Sequence, residues 1–116
     1  MSYLSIEAFL INFLNSRLEV TVSGDIPTPR PPRFVTLEQT GSRHKNYINS
    51  ATIAIQSWAE TRADALELNQ QVVDAMDEAL GEIMISDCQL QSYYNFPDLS
   101  TKKPRYQAVY EVVHFF

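Results

Sequence analysis

The sequence predicts an α+β fold, in which a mostly antiparallel sheet of about five strands carries two main helices on one face. Two segments repeat apolar residues at helical spacing, and several shorter segments alternate apolar and polar residues as half-buried strands do. Turn-forming residues separate these segments. The predicted order is α-β-β-β-α-β-β, and residues 1–116 provide the length of one domain with one core.

The first helix and the first strand are predicted from two successive patterns. Apolar side chains at three- and four-residue steps predict a helix from about Ser2 to Asn15. These side chains are Ile6, Phe9, Leu10, Phe13 and Leu14. Leu18, Val20 and Val22 then alternate with polar residues, which predicts a strand that ends at residues 23–25.

A stiff loop and a hairpin follow. Residues 26–33 contain four prolines, which fix backbone angles and remove donors from any strand ladder. Phe34–Gln39 and Ala51–Trp58 both have strand character, and the polar residues 40–46 between them predict the turn. The tip of this hairpin is predicted to be basic because it contains Arg43 and Lys45.

The second helix begins at a capping box, in which a hydroxyl and an acid stand three residues apart at 61–64. Its apolar stripe predicts a helix to about Leu80, with Gly81 as the C-cap. Ile83–Tyr94 and Arg105–Phe115 are the last two predicted strands, and a break at 95–98 follows the first of them.

Composition excludes several classes of protein. The formal charge of −5 argues against a protein that wraps nucleic acid, because such binding rests on Lys and Arg that neutralise phosphates. A single cysteine forms no internal disulfide, and no apolar run is long enough to span a bilayer. We therefore expect a protein of a reducing cytoplasm that is neither exported nor inserted into a membrane.

The residues that could carry catalysis are Cys88, His44 and His114. Cys88 shares strand parity with Leu90, which predicts a buried structural thiol, and a small hydrolase built on Cys88 is the enzymatic alternative. The histidines have no ligand-like spacing to each other or to Cys88. The three glycines are scattered and form no phosphate-binding loop. The sequence therefore predicts no enzyme, no metal site and no cofactor.

Acidic side chains lie on one stripe of the second predicted helix and its flanks, opposite the apolar stripe. This acidic stripe comprises Glu60, Asp64, Glu67, Asp74, Glu78 and Glu82. It is either a solvated outer face or a repulsive wall that faces DNA in a lumen. An acidic protein that imitates DNA and inhibits a nucleic-acid enzyme is a further alternative.

Three segments combine residue types that are common at protein interfaces: the proline-rich loop, the hairpin tip and the aromatic stretch around residues 93–106. The candidate contact residues are Pro29, Arg30, Pro31, Arg43, Lys45, Tyr93, Tyr94, Phe96, Lys102, Arg105 and Tyr106. The alternative for Tyr94, Phe96 and Tyr106 is that they close one end of the core.

Four short segments occur in a recognisable order. Pro32–Glu38 (PRFVTLE) precedes the hairpin, and Ala54–Arg62 (AIQSWAETR) enters the acidic helix. Asn95–Asp98 (NFPD) and Pro104–Gln107 (PRYQ) then introduce the last strand. From about residue 33 to residue 113, this pattern resembles the phage tail completion family, which includes tail terminators and tail-to-head joining proteins.

The resemblance implies a virion protein, assembled in the host cytoplasm, whose copies form a ring, typically a hexamer, that caps the completed tail tube. Its partners would be further copies of itself, the major tail tube protein and the head connector or neck proteins. DNA would pass through the lumen without specific binding. The family has no catalytic residues to transfer. The nearest alternative role is that of a head-side neck or stopper protein.

Overall fold

A five-stranded sheet with two helices packed on one face forms the described part of the chain. The computed structural model describes residues 5–45, 48–82 and 84–115. The helices are α1 (Ile6–Arg17) and α2 (Arg62–Asp77), and a 3₁₀ helix over Glu78–Gly81 follows α2. The strands are β1 (Val22–Ser23), β2 (Phe34–Lys45), β3 (Ile48–Trp58), β4 (Ile85–Asn95) and β5 (Arg105–His114). The predicted α+β class and element order are confirmed.

The strand order across the sheet is β1-β2-β3-β5-β4. From β2 to β4 every neighbouring pair is antiparallel, whereas β1 pairs with β2 in parallel. The sheet is therefore mixed, although most of it is antiparallel as predicted. The parallel pair arises because residues 24–33 return the chain to the edge where β1 began, so that β2 runs in the same direction.

The core lies between the helices and one face of the sheet. Ala108, Tyr110 and Val112 of β5 are buried, and the residues between them are only half-buried. Leu10 of α1 and Leu68 of α2 belong to the same buried cluster. The opposite face of the sheet carries no helix among the described residues, and its side chains position the candidate site.

The first helix is displaced from its predicted position. Ser5 is the N-cap, where its hydroxyl accepts a hydrogen bond from the Ala8 N–H at 3.0 Å, and α1 continues to Arg17. The predicted start at Ser2 lies outside the described residues. Helical spacing located the buried face correctly but did not mark the ends, which depend on capping contacts.

The first strand is shorter than predicted, because β1 contains only Val22–Ser23. Leu18 and Val20 pack against the core without joining a ladder. The side chain of Asn15 holds β1 in place: it donates to the Val22 carbonyl at 2.9 Å and accepts from the Val22 N–H at 3.0 Å. The apolar alternation there reflects burial rather than strand pairing.

The hairpin is longer than predicted, so the turn expected over residues 40–46 is wrong. β2 continues to Lys45 and β3 begins at Ile48. A register shift between Gln39 and Gly41 absorbs one extra residue and lets the ladder continue beyond it. Arg43 consequently lies on a strand, while the hairpin tip and the side chain of Lys45 fall outside the described part of the chain.

The second helix begins as predicted and ends differently. The Thr61 hydroxyl accepts from the Asp64 N–H at 3.1 Å, which confirms the predicted N-terminal cap. α2 ends at Asp77, and the 3₁₀ helix replaces its expected last turn. Gly81 has no positive φ, so the predicted glycine C-cap is wrong. The last predicted strand, by contrast, begins at Arg105 as β5 does.

Candidate functional site: an arginine–aromatic surface at one end of the sheet

Trp58 lies at the centre of the candidate site, at the end of the sheet where β3 terminates. In the strand register it stands between Phe34 of β2 and Arg105 of β5. Its ring stacks on the Phe34 ring, with the centroids 5.5 Å apart and the planes inclined by 11°. Both aromatic residues are buried, which requires cover from the neighbouring loops.

Two arginines provide part of that cover. The Arg30 guanidinium, from the proline-rich loop, lies 4.8 Å from the Trp58 ring centroid and 5.4 Å from that of Phe34. The Arg105 guanidinium lies 4.7 Å from the Trp58 centroid and 4.4 Å from that of Phe96. We call these five residues the arginine–aromatic surface. Such cation–π contacts fix the planar guanidinium groups against the rings.

Arg105 is further held by the backbone. Its Nε donates to the Phe96 carbonyl at 2.7 Å. Burial lowers the pKa of the Arg105 guanidinium, while the charges of Asp98 and Glu38 act in the opposite direction. The group stays charged near neutral pH because the ordinary pKa of arginine lies far above it. The surface therefore presents fixed positive charge beside aromatic rings.

A chain of side-chain hydrogen bonds crosses four strands next to this surface. Trp58 Nε1 donates to Thr36 Oγ1 at 3.0 Å, and Thr36 Oγ1 donates to Gln56 Oε1 at 2.8 Å. Gln56 Nε2 donates to Gln107 Oε1 at 2.7 Å, and Gln107 Nε2 donates to the Tyr94 hydroxyl at 2.6 Å. We call this chain the polar ladder. It orients the side chains on the sheet face that lacks helices.

Exposed apolar side chains recur from the middle of β4 into the loop that follows it, next to Arg105. Between residues 90 and 99, five large hydrophobic side chains are exposed. They are Leu90, Tyr93, Tyr94, Phe96 and Leu99, and Leu99 is 91% exposed. A concentration of this kind, flanked by arginine and lysine, is typical of a protein contact surface.

The cleft next to Trp58 is small. It has a volume of about 70 Å³ and is lined by Arg30, Pro31, Pro32, Phe34, Trp58, Ala59, Glu60 and Lys103. Sites for drug-sized ligands generally have volumes of roughly 300–1,000 Å³. The geometry therefore favours contact with another macromolecule over enclosure of a small molecule.

The predicted contact residues divide between the two ends of the sheet. The arginine–aromatic surface includes Arg30, Phe96 and Arg105. Pro31 lines the cleft beside it, and the Tyr94 ring contacts the Phe96 ring. Pro29 and Lys102 are the sequence neighbours of Arg30 and Lys103, which line the same cleft. Tyr93 instead faces the helix layer, where its hydroxyl accepts from Gln70 Nε2 at 3.5 Å. Tyr106 is half-buried beside Ser57 and Asn95. Arg43 lies near the opposite end of β2.

The acidic stripe is less uniform than its spacing predicts. Asp64, Glu67 and Asp74 are exposed on α2, whereas Glu60 precedes the helix and lines the small cleft. Glu78 Oε2 lies 2.6 Å from Arg17 Nε, and Glu82 Oε1 lies 3.9 Å from Arg17 Nη2. α2 packs on the face of the sheet opposite the polar ladder, so the acidic stripe and the ladder face different sides of the subunit.

Cys88 is packed as a structural residue. It is half-buried against the core, and its Sγ lies 3.9 Å from the Met76 carbonyl oxygen. Burial, with smaller contributions from the charges of Asp87 and Asp77, raises the pKa of the Cys88 thiol to about 11. A thiol with so high a pKa is a poor nucleophile at neutral pH.

The two histidines are closer in space than their sequence positions indicate. His44, Asn49 and His114 occupy one row across β2, β3 and β5, and Asn49 Oδ1 is hydrogen-bonded to His44 Nδ1. Both histidines line a groove of about 230 Å³ with Arg43. Within the described ranges, no group of three or more His, Cys, Asp or Glu side chains is arranged to hold a metal ion.

Sequence reasoning missed the residues at the centre of the site. The sequence patterns place Phe34, Trp58, Gln56 and Gln107 in strands and in the segments that carry the resemblance, but not among the predicted contacts. Polar residues at alternate positions of β3 and β5 are a signal for an outward polar face.

No protein-family model matches the chain, and a comparison with curated proteins finds no match either. Neither described helix is long and apolar enough to cross a membrane.

Proposed function

We propose that the protein is a structural virion subunit. Its copies form a ring, a hexamer as the resemblance implies, that caps the tail tube of a long-tailed phage and joins the tail to the head. The observation that carries this proposal is the exposed apolar stretch between Leu90 and Leu99, which adjoins the arginine–aromatic surface. Aromatic and arginine side chains are the usual anchors of protein contacts.

The segments that carry the resemblance support the same assignment. Phe34, Trp58, Phe96 and Arg105 all come from these segments, and all belong to the arginine–aromatic surface. Residues that are far apart in the chain thus meet at one end of the sheet. A shared contact surface gives a physical reason for this set of residues to occur together.

The charge distribution supports passage of DNA without adhesion. The chain carries a formal charge of −5, and two faces of the subunit are candidates to line a lumen. One carries the acidic stripe, and the other is the sheet face without helices, where Gln107 and Tyr94 are the accessible members of the polar ladder. Because they face opposite sides of the subunit, only one of them lines the lumen of a single ring. Either surface would bind phosphate weakly, since phosphate binding depends on lysine and arginine.

The test is native mass measurement and electron microscopy of the purified full chain. We expect a ring with a central hole, and we expect it to bind the major tail tube protein of the same phage. A protein that stays monomeric over a wide concentration range, even with the tail tube protein present, would contradict the proposal. A ring that binds the head connector but not the tail tube would assign the head-side neck or stopper role instead.

A further inference from the structure

The loop between β4 and β5 is unusually well organised for an exposed segment. The Asp98 N–H donates to the Lys103 carbonyl at 3.1 Å, and the Lys102 N–H donates to the Asp98 carbonyl at 2.7 Å. The Asp98 carboxylate also accepts hydrogen bonds from the hydroxyls of Ser100 and Thr101. The hydrogen bonds to the carboxylate, chiefly the one from the Thr101 hydroxyl, lower the pKa of Asp98. The loop is therefore held by a network of internal hydrogen bonds, and the carboxylate that accepts them is ionised at neutral pH.

This loop presents an apolar residue and two cations. Leu99 is 91% exposed, the largest exposed fraction among the described large hydrophobic residues. Lys102 and Lys103 are also exposed, and neither forms an ion pair within the described part of the chain. A preorganised loop that exposes leucine loses little conformational entropy when that leucine is buried in a partner.

A groove with complementary chemistry lies between the two helices. It has a volume of about 410 Å³ and is lined by Arg17, Leu18, Glu19, Gln71, Asp74, Ala75 and Glu78. Leu18 and Ala75 give it an apolar part, while Glu19, Asp74 and Glu78 give it an acidic rim. The Arg17 guanidinium is paired with Glu78, so it does not neutralise the charges of Glu19 and Asp74.

We infer that the loop over residues 98–103 of one copy docks in the α1–α2 groove of the next copy. Leu99 enters beside Leu18 and Ala75, and Lys102 and Lys103 meet Glu19 and Asp74. The occupant is a second copy because the chain itself supplies both halves of the contact, with an apolar anchor and opposite charge on each side. The inference rests on the proposed function, since it names the contact between neighbouring ring subunits.

The contact has the symmetry that a ring requires. The loop and the groove are different surfaces of one chain, so the contact is heterologous. After the first contact forms, one copy keeps a free groove and the other keeps a free loop. Repeated contacts of this kind form a closed ring when the rotations between neighbouring copies add up to a full turn. A twofold contact between identical surfaces would instead stop at a dimer.

The test measures the oligomeric state of the full chain by native mass and sedimentation. Leu99→Asp is expected to weaken the subunit contact by roughly tenfold to a hundredfold, because it removes the burial of one leucine. Leu99→Met is the matched control and should keep the ring. Position 99 is exposed, so circular dichroism should show that both variants fold as the wild type does.

Charge exchange tests the partner surface. Lys102→Glu with Lys103→Glu, and separately Glu19→Lys with Asp74→Lys, should each dissociate the ring, whereas the four changes combined should restore it. Asp64→Lys with Glu67→Lys alters the charge equally but lies outside the groove, so it should leave the ring intact.

The outcomes separate this inference from the proposed function. A wild-type ring that survives Leu99→Asp and both charge reversals overturns the docking contact and leaves the ring proposal standing. If the Leu99→Asp variant keeps the ring but no longer binds the tail tube protein, the loop contacts the tail tube protein and not a second copy. This outcome likewise overturns the inference. A monomeric wild type at all concentrations overturns both proposals.

Discussion

Thr36 shows how a single hydroxyl can link two buried groups. Its Oγ1 accepts from Trp58 Nε1 and donates to Gln56 Oε1, and all three residues are buried. A buried polar group that loses its partner costs more free energy than an average hydrogen bond contributes. Thr36 therefore has a larger structural role than its size indicates.

Thr36→Val tests that role, because it keeps the side-chain shape and removes the hydroxyl. We expect the free energy of unfolding to fall by about 1–3 kcal/mol, since the Trp58 N–H loses its acceptor and the Gln56 amide loses a donor. Urea denaturation measures the change. Thr36→Ser retains the hydroxyl and should cost less than Thr36→Val; the reverse order would show that the methyl group matters more than the hydrogen bonds.

Cys88 gives a prediction about reactivity. Because its pKa is raised to about 11, the folded protein should react with iodoacetamide at pH 8 much more slowly than the urea-unfolded chain. From the thiolate fraction alone, the difference is roughly a hundredfold. The rate of alkylation, followed by mass, measures it. Equal rates in the folded and unfolded states would contradict a packed structural thiol.

The same shift predicts how stability depends on pH. The folded-state pKa lies above the unfolded value, so the contribution of the neutral thiol is fully present below about pH 8.5 and is lost as pH rises toward 11. Cys88→Ala lacks this ionisation. The unfolding free energy of the wild type should therefore fall more steeply than that of Cys88→Ala between these pH values, and parallel curves would contradict the assignment.

α2 has a well-defined beginning, and this can be tested separately from its packing. Thr61→Ala removes the acceptor of the Asp64 N–H and should lower the free energy of unfolding by about 1 kcal/mol. Thr61→Ser keeps the acceptor and serves as the control. Thermal or urea unfolding measures both variants; if Thr61→Ala and Thr61→Ser are equally stable, the cap does not contribute.

Element boundaries were predictable only where a local signal marks them. The N-terminus of α2 has its cap within four residues of sequence, and the prediction was correct. β1 lacks such a signal, because its two residues are defined by pairing with β2 and by the Asn15 side chain. The predicted turn over residues 40–46 is misplaced because the polar residues there have the composition of a loop, although residues 41–45 pair with β3.

The charge of the whole molecule predicts weak interaction with DNA. At 0.1 M salt the wild-type protein should not retard double-stranded DNA in a gel, because its formal charge is −5. Changing Glu60, Asp64 and Glu67 to Lys makes the formal charge +1 and should produce binding that weakens as salt is raised. Retardation by the wild type would contradict a surface past which DNA moves freely.

The candidate site was predictable in its residue types more than in its arrangement. The aromatic and basic residues around 93–106 and Arg30 were identified as contacts, and several of them do meet. Arg43, placed in the same set, lies at the other end of β2. The pattern of β3 predicts Trp58 only as a strand residue, since nothing in β3 alone indicates that two arginines from other segments lie over its ring.

Periodicity and capping act over a few neighbouring residues, so local patterns predict the α+β class, the order of the elements, the apolar faces of both helices and the cap of α2. The parallel pairing of β1, the arginine–aromatic surface and the groove beside Arg17 and Asp74 depend on the tertiary structure. These features join residues from distant parts of the chain. Their geometry follows from sheet register and helix packing, which a local pattern does not specify.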